Sequence, residues 1–88
     1  MRLPRQRIKY HKLVTNETLQ REIELGVSHF KFKNLDQLNW AFEVRGFKPN
    51  GGDELWYFSY EGNLNRCYGG YALVRHGRMV DYIQTWEG

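Results

Sequence analysis

Aromatic and β-branched runs, broken by short polar and glycine-bearing pieces, fill the last third of the chain. Leu55 to Tyr60 reads Leu-Trp-Tyr-Phe-Ser-Tyr, a polar loop follows at 62–66, and two further runs extend from Tyr68 to Arg75 and from Arg78 to Trp86. Such residues suit a pleated, half-buried surface. The pattern predicts strands over about 54–61, 68–75 and 78–86, joined as an antiparallel meander. His76-Gly77 makes the last turn. A two-residue hairpin loop needs positive φ, which glycine supplies freely and histidine tolerates better than most residues. A turn of that length sets Leu73 opposite Val80 and Tyr71 opposite Tyr82.

The first half of the chain mixes two periods. Residues 7–14 place Ile8 and Tyr10 on one parity and His11 and Leu13 on the other, a strand pattern. Thr15 or Asn16 then caps a helix over about 16–25, with Leu19 and Ile23 as its apolar stripe, extended to Val27, and Gly26 at its C-terminal end. His29 to Lys33 alternates again, with Phe30 and Phe32 on one face, and predicts a short strand. Asn34 caps a second helix over about 35–45, where Leu35, Leu38, Ala41 and Phe42 recur at helical spacing and Gly46 closes the run. Lys48-Pro49-Asn50-Gly51-Gly52-Asp53 is the strongest turn cluster. The expected class is α+β, an antiparallel sheet with two short helices packed on one face.

Composition narrows the picture. Eighty-eight residues make one domain, 1–88, with a basic arm at 1–7. No apolar run approaches the roughly 18 residues of a membrane helix, and no apolar region follows the basic start as in a secretory signal. Cys67 has no partner for an internal disulfide, which suits a reducing, cytoplasmic setting. Together with His11, His29 and His76 it lacks the ligand spacing of a zinc site, so neither a metal nor a cofactor is expected. The net charge is +3, and its distribution matters more than its sum. Arg2, Arg5, Arg7, Lys9 and Lys12 crowd the first dozen residues with no acid among them. A basic arm of this kind anchors phosphates, and equally it keeps an edge strand from aggregating.

Two arrangements of the last hairpin follow from strict alternation. One face would carry Tyr71, Leu73, Arg75, Arg78, Val80, Tyr82, Gln84 and Trp86, and the other Tyr68, Ala72, Val74, Met79, Asp81, Ile83 and Thr85. If the first set is exposed, it is a platform of tyrosines flanked by arginines, the surface on which proteins stack unpaired bases. If it is buried, the large aromatics are core and Asp81 faces water, which avoids burying an unpaired carboxylate. Gly69-Gly70 precedes no helix and so is no phosphate loop. It marks a bulge, or a place where a backbone or bulky ring comes close. Arg5, Arg7, Lys9, Arg66, Tyr71, Arg75, Arg78 and Tyr82 are the candidate contact residues.

The reading that follows is a small, basic, non-enzymatic module that binds nucleic acid or a nucleic-acid-handling protein complex. A protein–protein inhibitor, of the kind phages direct against host machinery, is the alternative, with Trp40, Trp56 and Trp86 as anchors beside the arginines. A third reading comes from element order. If 27–33 is extended but unpaired, the chain runs strand, two helices, three antiparallel strands. In length and order it is then similar to the RelE/ParE family of small bacterial toxins, some of which cleave RNA. The resemblance assigns no residues. An RNA-cleaving activity would draw its acid or base from His11, His29 or His76.

Overall fold

The computed structural model describes residues 7–26, 32–62 and 66–88. Its elements are β1 (Ile8–Leu13), α1 (Asn16–Leu25), α2 (Leu35–Val44), β2 (Glu54–Glu61), β3 (Cys67–Arg75) and β4 (Arg78–Glu87). The four strands form one antiparallel sheet in the order β1-β2-β3-β4. The class is α+β, as the pattern predicts, and β1 extends the C-terminal meander to four strands. Of the strand expected at 29–33, residues 29–31 lie outside the described residues. Phe32 and Lys33 belong to no strand. The Phe32 ring instead stands edge-on to Tyr71, with centroids 5.6 Å apart.

The helices start where their sequences can satisfy free N–H groups. Thr15 accepts a hydrogen bond from the Thr18 amide, and the Thr18 hydroxyl accepts one from the Thr15 amide, a reciprocal cap. Val14 and Leu19 flank that cap and are both buried in the core, which fixes the turn from strand into helix. Asn34 caps α2 through Gln37. The Asn16 side chain accepts from the Leu35 amide at 2.8 Å, so the start of α1 also ties down the start of α2. Gly26 at φ 65° ends α1, while Arg45 in right-handed geometry ends α2.

Both helices cover the same face of the sheet. Leu19, Leu38 and Phe42 are completely buried against Leu55, Tyr71 and Leu73. Strict alternation misplaces part of β4. The turn at His76 and Gly77 has positive φ at both residues, and Arg75 pairs with Arg78 and Val74 with Met79 as expected. The register then shifts. Leu73 pairs with Asp81 and not with Val80, and Tyr71 pairs with Ile83 and not with Tyr82. A second shift at Gly69/Gly70 sets Gly69 opposite Trp86. Each shift leaves one residue of β4 unpaired, and a one-residue slip exchanges the two faces. Between the shifts Asp81 and Ile83 therefore turn toward the helices, and Tyr82 turns away. Beyond the second, Trp86 returns to the helix side.

Asp81 on the helix side finds a partner in Arg45, whose Nε and Nη2 donate to its two carboxylate oxygens at 2.6 and 2.9 Å. That pair answers the objection that a carboxylate on this face would be unpaired.

Candidate functional site

The expected contact residues do not share one surface. Tyr71 is 1% exposed in the core, and its hydroxyl donates to the Glu22 carboxylate at 2.8 Å. It is a packing residue and no base reaches it. Tyr82 lies on the opposite face, its ring edge-on to Phe58. Arg75 does not stand free at the hairpin tip. Its Nε and Nη2 donate to both oxygens of Asp53 at 3.0 and 2.8 Å. That guanidinium, with the Asn50 amide, holds the Asp53 carboxyl down to about 2. Arg78 and Arg66 are exposed, and Arg5 lies outside the described residues. Arg7 and Lys9 are exposed at the start of the edge strand β1.

A bulge in β1 assembles what the sequence pattern kept apart. Tyr10 pairs with Phe58 and Lys12 with Tyr57, so His11 is the extra residue. Paired residues point to the same side of a sheet. Lys9, opposite Ser59, and Lys12, opposite Tyr57, therefore share the helix face despite being three residues apart. His11 joins them, with Nε2 and Ser59 Oγ hydrogen-bonded at 2.8 Å. Lys12 Nζ sits 5.5 Å from the centre of the Tyr57 ring, a cation–π contact. Tyr10 and Leu13 are sent to the other face, where Tyr10 meets Trp56.

Across from Lys12, Thr18, Arg21, Glu22 and Leu25 of α1 complete an open groove floored by Tyr57. Glu22 is the one acid of that groove. Its carboxylate accepts from the hydroxyls of both Tyr57 and Tyr71, at 2.9 and 2.8 Å, and so is turned to the sheet. Burial pushes the Tyr57 hydroxyl well above its ordinary pKa, and the neighbouring carboxylate adds to the rise, so it stays a donor. Further along the row that begins Lys9 and Ser59 come Gly69 and Trp86. A Cβ on Gly69 would lie 2.5 Å from the Trp86 ring, which therefore rests directly on the glycine. Trp86 is 44% exposed.

The opposite face is rich in aromatic residues. Phe58, Ala72 and Val74 are buried there under Ile8, Trp56, Tyr60, Tyr68, Met79 and Tyr82, and no described helix residue joins that cluster. Tyr60, Tyr68 and Tyr82 form a chain of ring contacts at 5.1 and 6.1 Å. Among the residues of the four strands, Glu54, paired with Val74 near one end, and Glu87, paired with Tyr68 near the other, put carboxylates on this face. Arg75, expected to flank a platform of tyrosines, is held instead by Asp53.

Comparison with protein-family models, curated proteins and solved structures finds no match to this chain. Any function must be argued from the two surfaces themselves. Among the described residues, no three of His, Cys, Asp and Glu are grouped to hold a metal ion, and no helix is long and apolar enough to cross a membrane.

Proposed function

We propose that this chain is a small, non-enzymatic nucleic-acid-binding module whose contact surface is the helix-side edge of the sheet. The observation that carries the reading is the β1 bulge, which gathers Lys9, His11 and Lys12 on one side of the strand that ends the described sheet. Arg21 faces them across the groove, and Trp86 lies along the same face. Bulges re-aim side chains, and they recur beside functional sites. Cations in a row on an extended edge suit a phosphate backbone, and the neighbouring Glu22 is tied up by two tyrosines. Setting and partner follow the same reasoning: a free thiol at Cys67 suits a cytoplasmic protein, and the partner is nucleic acid or a complex that handles it.

The test is a salt titration of a labelled oligonucleotide. Each phosphate contact to a single strand contributes about 0.7 to the slope of log affinity against log salt. Lys9→Ala with Lys12→Ala should weaken binding to every sequence and flatten that slope by about 1.4. A slope unchanged in the folded double variant removes these lysines from the site.

A second reading is favoured by the aromatic face, which no described helix residue covers. Its rings pack on one another, and its two ends carry carboxylates, which repel phosphate and fit a protein with an apolar centre and basic flanks. On that reading a protein partner captured from lysate survives nuclease treatment and is lost in Tyr10→Ser with Leu13→Ser. Loss of the partner on nuclease treatment alone returns the assignment to nucleic acid.

A further inference from the structure

We infer that the helix-side surface takes single-stranded nucleic acid, with one unpaired base stacked on Trp86 and the adjoining phosphates held by Lys9 and Lys12. This rests on the nucleic-acid reading above and adds the form of the ligand.

The Trp86 indole rests against Gly69, close enough that a Cβ there would come within 2.5 and 2.6 Å of Cζ2 and Cε2. Trp86 is nonetheless 44% exposed, so the indole held there is still open in part to solvent. An indole held against a strand and partly open to solvent is a stacking surface already in place. It costs little side-chain entropy to use.

Placement supplies the second part. Lys9, Ser59, Gly69 and Trp86 form one row across the sheet. The ring over Gly69 lies two strand spacings from Lys9, about 10 Å. The Ser59–His11 hydrogen-bonded pair occupies the space between them. A base on the indole therefore sets its own sugar over polar groups and its neighbouring phosphate within reach of a long lysine. Lys12 lies one row further on, opposite Tyr57.

The third part is what bounds the site. On the helix face Glu61, paired with Cys67, lies one row outward from Ser59, and Glu22 closes the far side of Lys12. The cationic lane is two rows wide, which suits one or two nucleotides and not the span of a duplex. A duplex also keeps its base faces stacked inside and offers the indole nothing.

The experiment uses the full chain with Trp40→Phe and Trp56→Phe, leaving Trp86 as the sole tryptophan. Oligouridylate and a duplex of the same length are titrated against it, following tryptophan emission and the anisotropy of a labelled strand. The single strand should bind more tightly and quench Trp86. In the otherwise native chain, Trp86→Ala should weaken the single strand at least about 5-fold, with Trp86→Phe intermediate and the salt slope unchanged in both. Equal binding of duplex and single strand, or binding of the single strand without quenching, overturns this inference while leaving nucleic acid as the ligand. If the native chain binds neither form at low salt, the nucleic-acid reading itself falls. The quenching measurement does not depend on Trp86→Ala folding.

Discussion

Tyr71 and Asp53 show how a single side chain's role is decided by its partners. Both tyrosine readings of the hairpin treated Tyr71 and Tyr82 as equivalent, yet they lie on opposite faces. Tyr71 is buried, and its hydroxyl shares Glu22 with Tyr57. Tyr71→Ala should cost about 3–5 kcal/mol, typical of truncating a buried aromatic, whereas Tyr71→Phe removes the hydrogen bond to Glu22 and should cost about 1 kcal/mol. Urea unfolding of the two variants measures the split, and equal costs would place the stability in the hydroxyl and not the ring. Asp53 makes a prediction with pH. Its carboxyl is lowered to about 2 by Arg75 and the Asn50 amide, against roughly 3.9 in an unfolded chain. A group whose folded pKa is depressed adds stability above its unfolded value and loses it as pH falls through the folded one. The native chain should therefore melt several degrees above Asp53→Asn at pH 7. The gap should close between about pH 4 and pH 2, and a gap constant down to pH 2 would dissociate Asp53 from the ion pair.

At the scale of the elements, the bulge in β1 carries the next prediction. His11 is surplus to the ladder, so deleting it joins Tyr10 to Lys12 with both already on their proper faces. That variant should fold with a melting temperature within a few degrees of the native chain. Deleting Phe58 from the unbulged β2 should prevent folding, because it flips half a central strand. A His11 deletion that fails to fold would put His11 in the ladder after all. The same contrast explains what was legible in the sequence. Helix ends were readable because Thr15, Gly26 and Asn34 act through local backbone groups, and the His76-Gly77 turn was readable for the same reason. The faces of β4 were not, because period-2 alternation assumes an unbroken register and β4 breaks it twice. Two signals pointed there. Gly69-Gly70 read as a bulge or a close approach; the extra residue, Thr85, is on β4 opposite the pair, and the close approach is Trp86 resting on Gly69. Asp81 read as a misfit on a buried face, and its answer, Arg45, lies 36 residues away in sequence. The cluster of Lys9, His11, Lys12 and Trp86 was not foreseen for the same reason. It depends on one bulge in β1 and two register shifts in β4, which no local pattern specifies.

At the scale of the whole molecule, the sheet divides its chemistry between two sides. Cations, a hydroxyl, an imidazole and one seated indole lie toward the helices, and a self-packed aromatic layer lies away from them. The described elements run strand, two helices, three strands, and an imidazole stands among lysines on the first side, so catalysis is the sharpest question to put to it. General acid–base cleavage of RNA needs an imidazole or similar group that is held and oriented at the scissile phosphate. His11 is the candidate, since it stands among the lysines. Its ring is hydrogen-bonded to the Ser59 hydroxyl, and among the described residues no carboxylate is shown against its other nitrogen to fix a tautomer. Such a pair can position a sugar or a phosphate without moving a proton. The prediction is binding without chemistry. Purified protein incubated with free RNA, and with translating ribosomes, should leave the RNA ends unchanged, and His11→Ala should lower affinity by a few-fold at most. Reproducible cut ends that vanish in a folded His11→Ala variant would make the same surface an active site, with Lys9 and Lys12 as its phosphate clamp.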